Sequence, residues 1–362
     1  MGALSSRVVS DRFEFVVGVD THSESHTYAV LRSGNGEVRA TSEFRADRQG
    51  IQAALSWITT IVSGETLLAI EGANSYGSLL AQVAADAGFE VCDARVRTRD
   101  PTRPKNDQTD AVWAAYRLLG TRLESLARPR AWGARQMLSL LVMSRRDMEI
   151  RSVAVRNRLG AIVRTVDLGL DTTRKISRST IRTLADPDWA RADDPLTMLG
   201  RREVSRMANE YLLLLEQLDS NKSDLEAVVK SLAPGLLEIY GVGPVTAAVI
   251  LGAYSHVGRV RSESAFASLA GVAPIEYASG KTTRHRLNRG GDRQLNRAIH
   301  TIVVVRLSRD GRTREYVRRR TTEGVSKANA IRSLKRYVAR DIFRQVDRMM
   351  RAGEAGKTTG SH

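Results

Sequence analysis

Residues 13–20 read FEFVVGVD and residues 66–71 read TLLAIE, two apolar, β-rich runs that each end on a carboxylate. Short apolar runs of this kind, bounded by turn residues, are the signature of buried strands. The pair predicts two inner strands of one sheet, with Asp20 and Glu71 at their ends. Working outward, Tyr28–Leu31 and a turn at Ser33-Gly34-Asn35-Gly36 make a hairpin with the first run, and Glu37–Phe44 continues as a third strand. Helical spacing follows over Gly50–Val62 through Ile51, Leu55 and Ile58, and a second helix is predicted from about Gly77 to Ala87. A strand at Phe89–Cys92, a polar loop to Asn106 and a helix from about Gln108 complete the order. Three strands, then alternating helices and strands, point to an α/β mixed sheet with flanking helices.

That last helix opens KNDQTDAVWAAYRLL, so Asp107 and Asp110 are three residues apart and share one face. Val112, Trp113, Tyr116 and Leu119 are the expected docking face, which turns the acids toward the strand ends, where open α/β sheets carry their sites. Four clustered carboxylates repel one another unless cations compensate them, and hard divalent ions with oxygen ligands are the natural compensators. Mg²⁺ is the expected ion, with Mn²⁺ able to substitute, and a pair of such ions suits phosphodiester chemistry. Taken singly the residues have blander readings, Asp107 as a helix cap and Asp20 as a turn residue.

At 362 residues the chain is long enough for two domains and a connector. With 42% hydrophobic residues and no apolar run of eighteen, it is expected to be soluble, without a membrane span, and cytoplasmic. The first residues lack the pattern of a secretion signal and are expected to form a disordered tail. The single cysteine, Cys92, has no disulfide partner and reads as structural. A net charge of +16 favours polyanionic partners, and it is unevenly placed. Residues 1–125 carry 13 Lys/Arg against 16 Asp/Glu, whereas 279–320 carry 13 against three.

From Pro129 to about Ala233 two long helical stretches flank a polar middle section, Thr172–Pro195. In the second, Tyr211, Leu215, Leu218, Lys222, Leu225, Val229 and Leu232 follow alternating spacings of four and three. Such a seam serves a coiled coil between chains or a hairpin packed on its own chain. From Leu236 a helix, a Gly241-Val242-Gly243 turn and a second helix are expected, followed by a mostly helical segment. The resulting division is a tail at 1–12, an α/β domain at 13–128, a helical coiled-coil connector at 129–233, a mostly helical basic domain at 234–350 and a disordered tail at 351–362.

GVDTHSESH, LLAIEGANSYG, KNDQTDAVWAAYRL, GVGPVTAAVIL and PIEYASGKTTRHRLNRGGDRQLNRAIH together resemble the DEDD-type serine transposases of bacterial insertion sequences, the one-ten insertion-sequence family. The resemblance spans roughly Phe15 to Met350. It implies a RuvC-like N-terminal domain of RNase H fold in which Asp20, Glu71, Asp107 and Asp110 are the catalytic, metal-binding DEDD acids. It also implies double-stranded donor and target DNA, a structured bridge RNA as guide, nucleoid association, and a homotetramer arranged as a dimer of dimers.

In Ser279-Gly280-Lys281 a hydroxyl precedes a flexible glycine and is followed by Arg284, Arg286, Arg289 and Arg293, a setting suited to phosphate. Serine needs a base or metal to take its proton and cations to steady charge on phosphorus. Chemistry alone leaves Ser279 open as a turn cap, with Tyr277 as a competing nucleophile. The resemblance implies that Ser279 attacks DNA, forms a phosphoserine link and shares a composite site with the acids. Lys281 and the four arginines are then nucleic-acid contacts, as are Gly241 and Gly243 if their turn is a helix-hairpin-helix rather than a tight helix connection. Three other readings stay open: a metal-dependent junction nuclease using water, an actin-like ATPase built on residues 18–23, and a non-enzymatic nucleic-acid-binding protein.

Overall fold

The computed structural model describes residues 7–94, 107–130, 132–170, 176–279, 282–288 and 290–358, with backbone only at 275–279, 282–287 and 354–358. The chain divides into two units, Met1–Trp132 and Gly133–His362. Among the described residues no helix is long and apolar enough to cross a membrane.

The first unit is a five-stranded mixed sheet with flanking helices. A short helix α1 (Val9–Arg12) leads into β1 (Phe15–Thr21), β2 (Ser25–Arg32) and β3 (Val38–Arg45). Then come α2 (Arg48–Ile61), β4 (Thr66–Ile70), α3 (Ser78–Asp86), β5 (Glu90–Asp93) and α4 (Asp107–Tyr116). The strand order is β3-β2-β1-β4-β5. β1 is antiparallel to β2 and parallel to β4, with Val19 opposite Ile70, so Asp20 and Glu71 emerge at the same end of neighbouring strands.

Both inner strands are buried along their whole length because each face meets a helix layer. Val17, Val19, Tyr28, Leu68 and Ile70 pack against α2 and α3, while Val16, Leu31, Leu67, Ala69 and Cys92 pack toward α4. Burial pushes the Cys92 thiol upward, beside Asp93 and Glu90, in keeping with a structural role. At the sheet's edge β3 alternates exposed and half-buried residues and carries Arg39, Glu43 and Arg45, charges that discourage pairing with another edge.

Two expectations need correction here. Residues 7–12 are not a loose tail: Val9 is fully buried, Phe13 nearly so, and Val8 bridges to Arg122. Nor is α4 docked mainly through its large residues: Val112 and Leu119 pack against the core as expected, but they are only partly buried. Ala111, Ala114 and Ala115 are its buried positions, while Tyr116 is exposed and Val112 and Trp113 are half-buried. The helix lies so close to β1 that a methyl on Gly18 would stand 1.9 Å from the Ala111 carbonyl oxygen, a gap only small side chains can line.

The second unit is mostly helical. It holds α5 (Ala134–Thr165), α6 (Arg178–Ala185), α7 (Pro195–Leu232), α8 (Pro244–Tyr254) and α9 (Glu263–Leu269). A hairpin of β6 (Pro274–Ser279) and β7 (Thr282–Leu287) precedes α10 (Arg293–Arg309), α11 (Gly311–Thr322) and α12 (Lys327–Thr358). The hairpin was not foreseen in a segment read as helical, and α12 extends through part of the stretch read as a terminal tail.

The α5–α7 pair runs through two cores. At one end Val155, Leu159 and Val163 meet Val204, Ala208, Tyr211 and Leu214 with α6 across them. At the other Leu138, Leu225 and Val229 join α8, α10 and α12. Between them the Asn221 side-chain amide donates to the Leu141 carbonyl at 3.1 Å and Arg145 donates to the Leu218 carbonyl at 2.9 Å. Leu218, Leu225 and Val229 are therefore occupied within the chain. The polar residue in the seam is Asn221; Lys222 faces outward.

Candidate functional site

The acids come together at the carboxyl ends of β1 and β4. Asp20 is the last-but-one residue of β1 and only 7% exposed. Glu71 follows β4 directly. Its backbone N–H donates to the Val19 carbonyl at 2.9 Å and its carbonyl accepts from the Thr21 hydroxyl at 2.7 Å, so both ends of its peptide are tied to β1. Gly72, at φ +68°, then turns the chain away. Asp107 and Asp110 occupy the first turn of α4, placed above β1 by the close approach at Gly18.

The electrostatics record this crowding. Burial raises the Asp20 carboxyl above its ordinary range; nearby His22 opposes the rise, and Asp110 and Asp107 add to it. Glu71 is raised as well, first by burial, then by Asp20 and Asp110, against Arg117 and His22. Each of these carboxyls is a poor place for an uncompensated negative charge and a good one for a cation.

The sequence reading missed His22. Its Nε2 lies 3.1 Å from Asp20 Oδ2 and 3.7 Å from Asp107 Oδ1. One ligand atom from each of Asp20, His22 and Asp107 falls within 4.8 Å of the others, so the three could hold a metal ion. The signal was present in the two-residue step from Asp20 to His22, which at a strand end returns side chains to one side.

In the second unit Ser279 is the last residue of β6. In the register it stands opposite Thr282, and Tyr277 opposite Arg284. Lys281 and Arg289 lie outside the described residues, and Arg284 and Arg286 belong to β7. Arg293 is exposed at the start of α10. Gly241 adopts φ +86° and a methyl there would stand 3.2 Å from the Ile302 carbonyl, so the turn packs tightly on α10. The Gly243 N–H donates to the Thr246 hydroxyl at 2.9 Å as a helix cap. The segment before this turn is a 3₁₀ turn, Pro234–Glu238, rather than the expected helix. Sequence reasoning also overlooked a cleft of about 300 Å³ lined by Arg145, Arg146, Glu149, Thr246, Gln294 and Arg297.

Comparison with known proteins bears on both units. A family model described as Transposase, of the IS110 DEDD type, matches residues 17–166. A second, described as Transposase IS116/IS110/IS902 family, matches residues 233–318. The chain is also 25% identical over 331 residues to the Insertion element IS110 uncharacterized 43.6 kDa protein of Streptomyces coelicolor, covering 77% of this chain and 81% of that one. The first match contains the four acids and His22, and the second contains Ser279.

Proposed function

The chain belongs to the IS110 family of transposases, and on that premise we propose that it cuts and rejoins DNA strands through a covalent link to Ser279, with the DEDD acids holding divalent metal. The observation that carries this reading is the gathering of Asp20, Glu71, Asp107 and Asp110 around the carboxyl ends of β1 and β4. A RuvC-like sheet supplies those ends, and the buried, mutually repelling carboxylates fit an oxygen-seeking ion such as Mg²⁺. When bound, a pair of such ions stabilises charge on the attacking and leaving oxygens of a phosphodiester.

The protein's own groups divide the remaining work. Thr21 and the Val19 carbonyl hold Glu71 in position through its backbone, and α4 presents Asp107 and Asp110. Ser279 attacks phosphorus as the bond to one strand's ester oxygen breaks, the serine proton ends on that leaving oxygen, and the reverse exchange with a new strand's hydroxyl rejoins the DNA and restores the serine. Arg284, Arg286, Arg289, Arg293 and Lys281 steady the phosphate. Acids and serine serve the same phosphate in this reading. Support for the serine is its place in a stretch with 13 Lys/Arg against three acids, within the second family match.

Sequence choice is assigned to a structured guide RNA that pairs with donor and target DNA. A chain with a net charge of +16 and only 5% aromatic residues suits backbone contacts better than base stacking. The chain works as a homo-oligomer, a role for which α5 and α7 offer outward apolar side chains: Met143 at 63% exposure, Ile150 at 58% and Leu213 at 54%.

The test incubates protein, the element's RNA, donor and target DNA and Mg²⁺, and looks on a denaturing gel for a protein–DNA covalent band. The band is expected in wild type and Tyr277→Phe and absent from Ser279→Ala and Asp20→Ala. Cutting without a covalent band, retained in Ser279→Ala, would replace this mechanism with attack by water.

A further inference from the structure

The acid cluster holds one nitrogen donor among its carboxylates. The charges of Asp20, Glu71 and Asp110 bear on one another, and His22 bears on both Asp20 and Glu71. The His22 imidazole lies within reach of Asp20 and Asp107. Donor atoms in neighbouring positions around an ion at about 2.1 Å stand about 3 Å apart. The 3.1 Å and 3.7 Å separations from His22 Nε2 to Asp20 Oδ2 and Asp107 Oδ1 are close to that spacing before any adjustment. The His22 side chain is 45% exposed and that of Asp107 52%, so an ion reaches this corner from solvent without opening the core.

We propose that Asp20, His22 and Asp107 form a nitrogen-containing half-site of the acid centre that selects a transition ion of the Mn²⁺ class over Mg²⁺. The inference rests on the reading of the acids as a metal centre and adds to it which ion this corner prefers. Imidazole suits first-row transition ions, whereas carboxylate-only sets suit Mg²⁺, and Mg²⁺ sheds its waters reluctantly for a nitrogen donor. Asp20 is the most buried of the three, and its loss removes the carboxylate nearest His22. Loss of His22 removes the nitrogen donor, so it alters ion preference.

The experiment adds Mn²⁺ to the purified full-length chain, carrying no histidine tag, and records electron spin-echo envelope modulation. Nitrogen modulation is expected in the wild type and absent from His22→Ala. The Mn²⁺ dissociation constant rises about tenfold in that variant, while the Mg²⁺ constant moves by less than about threefold. Mn²⁺ that binds the wild type, is released by Asp20→Asn and shows no nitrogen modulation would overturn the half-site and leave the acid centre standing, with His22 only donating to Asp20. Modulation that persists in His22→Ala overturns it too. If the wild type binds neither Mn²⁺ nor Mg²⁺, both this inference and the metal centre fail. The wild-type spectrum reads a nitrogen ligand without any variant, and His22→Ala then assigns it to this imidazole.

Discussion

The strand-end acids of the first unit and the α5–α7 pair of the second are both recognisable from residue spacing, yet the spacing specifies them to different depths. At the strand ends, register decides everything: once Val19 stands opposite Ile70, Asp20 and Glu71 are neighbours to within one residue. Along a helix, spacing tells which face is covered and is silent about what covers it. Leu218 and Leu225 would be buried in a coiled coil between chains; both are buried here within the chain, Leu225 in the core shared with α5, α8 and α10. A sheet encodes its partner in alternation and length, and a helix encodes only a stripe.

The sharpest way to break this contrast is Leu225→Asp. Leu225 is fully buried among Leu138, Val229 and the α8 core, and a carboxylate there has no partner. A cost of about 4 kcal/mol or more is expected, the range reached when an unpaired charge is buried. Hydrogen exchange should show α5, α7 and α8 losing protection together, while metal-dependent stabilisation of the β-sheet unit persists. A folded protein whose only change is a smaller mass by light scattering would mean that the seam joins separate chains.

A smaller effect is expected where the two units depend on a glycine. In Gly18→Ala the new methyl meets the Ala111 carbonyl oxygen at 1.9 Å and the Ala115 nitrogen at 2.7 Å, so α4 has to lift off β1. Overpacking of this kind costs about 1–3 kcal/mol. Because α4 carries Asp107 and Asp110, metal affinity should fall along with the melting temperature. Gly241→Ala, at φ +86° in the second unit, should lower stability by about 1 kcal/mol and leave metal affinity unchanged. Equal losses of affinity in the two variants would show that the glycine at β1 has no special part in aiming the acids.

These residues also mark what the sequence makes legible. Thr66–Ile70 is readable to the residue because it is a short apolar run with turn signals on both sides. The face by which α4 docks was readable only in part: Val112 and Leu119 pack on the core, but the fully buried positions are alanines, because large side chains do not fit where backbones nearly touch. His22 was passed over because attention to carboxylates hides a nitrogen two residues away. The hairpin of β6 and β7 was obscured by its own polarity: TTRHRL has a single apolar residue, Leu287, so it carries no alternating apolar signal to read. Lys222 stood where spacing wanted a core residue, and the helix resolves this by turning Asn221 inward to the Leu141 carbonyl.

The smallest expected effect has the opposite sign. Asp20 has its carboxyl raised by burial, with His22 opposing and Asp110 and Asp107 adding to the rise. A carboxyl raised in the folded state costs stability once it ionises: folding weakens as pH climbs from the unfolded value through the folded one, and stays weakened above it. Asp20→Asn removes that charge while keeping the shape. Without metal, the variant should melt above wild type at neutral pH. The advantage should shrink as pH falls into the range where native Asp20 takes up its proton. With saturating Mn²⁺ or Mg²⁺ the order should reverse, because the wild type gains binding energy that the variant cannot. Calorimetric melting across pH, with and without metal, reads all three. A variant less stable than wild type without metal would mean that Asp20 holds the strand ends together, and that the site's charge is not a burden carried for an ion.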